Sequence, residues 1–227
     1  ELATNFRIIP DSEIVYGPSV KDFDVESIIW QFNGKLNEYK EEISDGVVLS
    51  GSEIVQRVAD EQSVNPRLLL ALIQHQSGCL LSRNEDCDLE KYPLGLLNNK
   101  QQGLYKQLSW AANELLRGSG LWQESLLAVW TLADGEVMRI DASINAGTAG
   151  LQHLFSLIEG KPAWKQTVSE TGFYQTFSDL FGYPFAFSVD PLLPEDLTQP
   201  ELILPLADGD VWLLTSGPHW AWGSGSA

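Results

Sequence analysis

The sequence predicts a mainly α-helical protein that closes on a short β segment. Three observations carry that prediction. Apolar residues recur at three-to-four spacing through most of the first 187 positions, helix start and stop signals bracket several of those runs, and after Phe187 the pattern changes to prolines and then to short apolar strands around Asp208-Gly209. The implied organisation is an extended segment over 1–22, a helical domain over 23–187, an acidic proline-rich linker over 188–200, and a β-hairpin over 201–227 that opens a further domain.

Arg7 to Tyr16 reads as extended, and Gly17-Pro18-Ser19 separates it from the first helical run. Phe23, Ile28, Ile29, Phe32, Leu36, Tyr39 and Ile43 predict an amphipathic helix over 22–43 with Gly34 in its interior. Ser50-Gly51-Ser52-Glu53 is a capping box, so a second helix starts there and runs to about Gln62. Asn65-Pro66 supplies an N-cap and a first-turn proline for a third helix, apolar almost all round from Leu68 and ended by Gly78, hence central in the core. Leu104 to Leu116 predicts a fourth helix stopped by Arg117-Gly118. Val129, Thr131, Val137 and Ile140 around Asp134-Gly135 fit a hairpin, with a partly helical excursion as the alternative. Asn145 caps a helix through Leu151, Leu154, Phe155 and Ile158, and Trp164 to Phe187 gives one or two short helices ending at Gly182-Tyr183-Pro184. Pro191, Pro194, Pro200 and Pro205 then disfavour helix, and Leu202–Leu206 with Val211–Thr215 read as the terminal hairpin.

Composition narrows the function. A net charge of −17 disfavours nucleic acid and anionic membranes, both of which need a basic patch. No apolar run is long enough to span a bilayer, and Glu1-Leu2-Ala3-Thr4 lacks the basic start and apolar stretch of a signal peptide, so any secretion signal is expected to have been removed already. Cys79 and Cys87, the only cysteines, flank a polar loop that fits a disulfide in an oxidising, extracellular compartment; two free thiols are the alternative.

The tail Gly217-Pro218-His219-Trp220-Ala221-Trp222-Gly223-Ser224-Gly225-Ser226 places a histidine behind a Gly-Pro turn and ahead of a Gly/Ser stretch. It resembles the first zinc-ligand segment of LasA-type, lysostaphin-like metallopeptidases, enzymes that cut the peptide part of bacterial cell walls. That resemblance implies His219 as a first ligand, followed by an aspartate roughly a dozen residues later and a distal His-x-His. It therefore implies zinc in the full-length protein and none in this chain.

The run Val58-Ala59, Val64-Asn65-Pro66-Arg67-Leu68 through Ile73-Gln74-His75-Gln76-Ser77-Gly78 resembles the opening helices of lysozyme-like peptidoglycan hydrolases and lytic transglycosylases. There the buried helix ends in Glu-Ser, and the glutamate protonates the glycosidic oxygen. Gln76 stands at that position, and an amide has no proton to give at a useful pKa. Tyr92-Pro93-Leu94-Gly95-Leu96-Leu97 is similar to the stretch that lines the family's groove, so the resemblance implies Gln76, Ser77 and Tyr92 as binding residues. Glu85, Asp86, Asp88 and Glu90 lie in a charged loop where solvated carboxylates of ordinary acidity are expected. An unrelated helical bundle using the same start and stop signals is the alternative.

His75 and His153 read as packing histidines without ligand partners at metal spacing. Trp110, Trp122, Trp130 and Trp164 are candidates for sugar stacking or for core packing. Trp122, behind Gly118-Ser119-Gly120-Leu121 in an expected loop, is the first choice for binding. No phosphate loop, dinucleotide fingerprint, nucleophile elbow or Cys/His nucleophile arrangement occurs. The leading expectation is the non-catalytic N-terminal region of a secreted peptidoglycan metallopeptidase, binding the wall or its peptide or regulating its own peptidase domain. The alternatives are a lysozyme-like glycan hydrolase whose acid lies elsewhere, and a helical protein-interaction module.

Overall fold

The computed structural model describes residues 3–44, 46–84, 86–192, 196–198 and 200. The chain divides into two compact units, Glu1–Leu192 and Leu193–Ala227. The expected terminal hairpin and His219 lie outside the described residues. The first unit is mainly helical, with two short two-stranded antiparallel sheets among the described residues.

Residues before the first helix run extended, broken by 3-10 turns at Asp11–Glu13 and Pro18–Val20, and bury Ile8, Ile9 and Ile14 in the core. Ile8 N–H donates to Thr148 Oγ1 at 2.8 Å, and Asn65 N–H to the Ile14 carbonyl at 3.0 Å. Helix α1, Val25–Phe32, starts where the Asp24 carboxylate accepts the Glu26 and Ser27 amides. It stops at Asn33, in the left-handed region with φ 55°. The helix expected over 22–43 is therefore broken. A Cβ at Gly34 would lie 2.2 Å from the Leu80 carbonyl oxygen, so glycine here lets two backbones touch. Leu36 still reaches the core from a 3-10 turn, and the chain continues as strand β1, Lys40–Ser44, paired antiparallel with β2, Val47–Ser50. Tertiary contacts overrode a local helical period.

Helix α2, Gly51–Gln62, has the expected Ser50/Glu53 capping box, and α3, Pro66–Ser77, is capped by Asn65 and ended by Gly78 at φ 71°. Leu68 to Ile73 are wholly buried, which makes α3 the central helix. Its first turn is tied to the N-terminal segment by Arg67 Nη1, 2.8 Å from Glu13 Oε2, with both side chains buried.

Helix α4, Leu104–Gln123, runs on past the expected stop at Gly118. A Cβ at Gly118 would come within 2.4 Å of His153 Cβ on helix α5, Ala146–Ser156, and one at Gly150 within 2.7 Å of the Leu115 carbonyl. These glycines let α4 and α5 pack closely; neither ends a helix. The α5 N-terminus is capped from a distance. Asn145 makes no side-chain cap bond; Asp11 Oδ1 accepts the Gly147 amide at 2.7 Å and the Asn145 side-chain amide at 2.6 Å.

Strands β3, Val129–Thr131, and β4, Val137–Arg139, form the hairpin expected around Asp134-Gly135, with Trp130 opposite Met138 and both buried. Helices α6, Lys161–Thr167, and α7, Phe173–Phe181, complete the unit, followed by a 3-10 turn at Pro184–Phe187.

Candidate functional site

The C-terminal turn of α3 emerges from the core at Gln74, and Gln74 to Gly78 are partly exposed. Successive side chains there face different partners, as helical geometry requires. His75 packs edge-on against Phe155 and Phe173, its Nδ1 2.9 Å from Thr176 Oγ1, and burial pushes its pKa down to about 4. Ser77 Oγ donates back to the Ile73 carbonyl at 2.7 Å. Gln76 instead turns its amide to Glu159, Nε2 to Oε1 at 3.3 Å.

Glu159 lies just beyond α5, and its Oε1 also accepts from Thr167 Oγ1 at 3.1 Å. Its Oε2 is buried with no hydrogen-bond partner among the described residues. Burial raises the pKa of this carboxyl above its ordinary 4.5, and the hydrogen bonds from Thr167 and Gln76 oppose that shift. The residue sits in none of the charged loops of the sequence, and 83 positions separate it from Gln76, so no local spacing signals the pair.

The segment Tyr92 to Leu97 forms the adjoining wall. Gly95, at φ +84°, brings bare backbone to the site: a Cβ there would lie 3.3 Å from Gln76 Oε1. Tyr92 does not reach Gln76 in any described contact; its hydroxyl bonds the side chains of Asn99 and Gln102. The wall is held by Gln107 of α4, fully buried, whose Oε1 accepts from the Leu94 and Leu96 amides at 3.3 Å and whose Nε2 donates to the Leu96 and Gln101 carbonyls at 2.8 Å. Nothing in the sequence marks Gln107, because a polar residue on the apolar face of a helix makes no pattern of its own.

Trp122 is placed elsewhere. It lies in the last turn of α4 rather than in a loop, is half-buried, and lines a cavity of about 520 Å³ with Asp11, Gln123 and Asn145. Trp130 and Trp164 are core residues, donating their indole N–H to the Gln152 side chain and backbone, each at 2.9 Å. Trp30 of α1, 73% exposed, is an aromatic that no sequence pattern singles out.

Cys79 and Cys87 are joined as a disulfide just beyond α3. His153 bonds Glu114 at 2.9 Å. Among the described residues no group of three histidine, cysteine, aspartate or glutamate side chains could hold a metal.

The family model described as "LasA, N-terminal domain" matches residues 7–193. The chain belongs to this family. The LasA N-terminal domain is a part of the lysostaphin-like LasA metallopeptidase family, which makes this chain an N-terminal domain of a peptidoglycan-acting bacterial protein. Comparison with curated proteins and with solved structures gave no match. Among the described residues of this LasA N-terminal domain, no helix is long and apolar enough to cross a membrane.

Proposed function

We propose that the chain is the non-catalytic N-terminal region of a secreted peptidoglycan metalloendopeptidase, engaging the cell wall or restraining its own peptidase domain as a propeptide would. The layout is the N-terminal segment over 1–22, the helical lysozyme-like domain over 23–187, the linker over 188–200, and the start of the peptidase domain over 201–227. His219 is the first zinc ligand of that domain. Gln76, Ser77, Tyr92 and Trp122 are the wall-contacting residues, in two separate patches.

The observation that carries this reading is Gln76. The helix that ends in a proton-donating glutamate in lysozyme-like enzymes ends here in an amide, which keeps the shape of the position and removes its acid. The family match supports the wall as the target.

Retention of the purified chain on insoluble peptidoglycan tests the reading. The chain should be retained at low and moderate salt, Trp122→Ala should be retained less, and no reducing ends or anhydro sugars should be released. Loss of binding at both salt concentrations would favour a protein-interaction module.

A further inference from the structure

Between the N-terminal segment, the last turns of α4 and residues 185–192 lies a cavity of about 540 Å³. None of the four residues proposed to contact the wall lines it. Ile14, Leu116, Phe185 and Leu192 give it apolar lining. One further lining residue, Val15, carries main-chain groups that the fold leaves unpaired. It faces Val64 in an isolated antiparallel bridge, closed by Tyr16 N–H to the Ser63 carbonyl at 2.9 Å and Asn65 N–H to the Ile14 carbonyl at 3.0 Å. Where the bonds fall on the flanking residues, the central residue turns its own N–H and C=O away from the partner strand. Those of Val15 have no hydrogen-bond partner among the described residues. An extended chain is the ligand that answers a donor and an acceptor offered by one strand residue.

The rest of the lining sets the character of that chain. Asp11 and Asp190 bring two carboxylates, and Asp190 is exposed with no ion-pair or hydrogen-bond partner among the described residues. Arg7, which also lines the cavity, is turned to the Ser143 carbonyl through Nε at 3.2 Å and Nη2 at 3.0 Å. A net charge of −17 steers cations toward the molecule as a whole. Gly120 of α4 leaves room on the same wall, because a Cβ there would meet no atom within 4 Å.

We propose that this cavity takes an extended polypeptide segment carrying a lysine or arginine. The backbone of that segment adds to the free edge of Val15, its apolar side chains lie against Leu116 and Phe185, and its cation pairs with Asp190. The partner is thus a basic, strand-forming stretch of protein, and the site does not depend on wall binding at Gln76 or Trp122.

The probe is the blocked pentapeptide acetyl-Ala-Val-Lys-Val-Ala-amide, titrated into the isotope-labelled 227-residue chain and followed by amide chemical shifts and deuterium exchange. Wild type should bind saturably, with the Val15 amide shifted and its exchange slowed about tenfold or more at saturation. Gly120→Leu fills the cavity from a helix and leaves the charge unchanged. It should lose about tenfold or more in affinity without a lower Tm, whereas diffuse attraction to an acidic surface would survive the change. Asp190→Asn should weaken binding by about two- to fivefold, the range of an exposed ion pair, and reduce its salt dependence. Wild type that does not bind, or binds without protecting the Val15 amide, overturns the proposal. Gly120→Leu that binds like wild type places the peptide outside the cavity and overturns the site. Asp190→Asn that binds like wild type overturns the pairing, and as a change to an exposed side chain it reads the site even where Gly120→Leu is unstable. Equal binding of the peptide with glutamate in place of lysine overturns the basic partner.

Discussion

At the N-terminal end of α3, Arg67 and Glu13 bury two opposite charges against each other; at its C-terminal end, Gln76 and Glu159 bury a single carboxyl beside an amide. The first pair is saturated. Arg67 also donates to the Ser19 carbonyl at 3.0 Å and stacks 3.9 Å from the Phe187 ring, while Glu13 accepts from Ser19 Oγ at 2.6 Å. The second is partnered on one oxygen only. Burial is tolerated at both ends, but only the Arg67–Glu13 pair has partners for both of its charged groups, as expected of a structural anchor, although the neighbouring Asn65 Nδ2 is buried without one.

The largest effect should come from breaking the saturated end. Arg67→Ala leaves Glu13 buried without a counter-charge and should cost about 3–5 kcal/mol in urea unfolding. A loss below about 1 kcal/mol would mean that water reaches Glu13 and that the two ends do not differ as described. Opening the disulfide with Cys79→Ser and Cys87→Ser should cost less, about 2–3 kcal/mol, because the loop it closes is short. Gln76→Glu would set two carboxyls in contact and should destabilise by on the order of 2 kcal/mol at pH 7, with recovery near pH 4.5 as one of them takes up a proton. An equal loss at both pH values would show that the two side chains do not face each other.

The smallest effect is the most diagnostic. Glu159 has its pKa raised in the folded state, so its contribution to stability is fully present below the unfolded value near 4.5 and is lost as pH rises through the folded value. Glu159→Gln removes that loss. Its Tm should exceed that of wild type by about 1–2 °C at pH 8 and match it at pH 4. A constant offset across that range would remove the titrating carboxyl from the account.

Much of this fold was legible in the sequence. The Ser50/Glu53 box, Asn65-Pro66 with Gly78, and Asp134-Gly135 each act through their own neighbours, so each can be read locally. Gly34 and Gly118 mislead in opposite directions for one reason: a glycine required by a distant backbone or side chain looks the same as one placed inside or after a helix. The extended N-terminal residues give no sign that Asp11 caps α5, 136 positions on. At the site, the missing acid at Gln76 is visible in the sequence, whereas Glu159, Thr167 and Gln107 gain their meaning only from residues the fold brings to them. Trp122 reads as a loop residue because Gly118 and Gly120 look like a helix stop, and α4 runs through both.

The Gln107 side chain has a consequence for motion. By holding the Leu94 and Leu96 amides and the Leu96 and Gln101 carbonyls at once, one residue of α4 fastens a segment that has no ladder of its own. Those two amides should then exchange with solvent deuterium only when α4 itself loosens, on the slow timescale of core opening rather than that of a surface loop. A single amide side chain gives the segment around Leu94 and Leu96 the rigidity of the helix behind it.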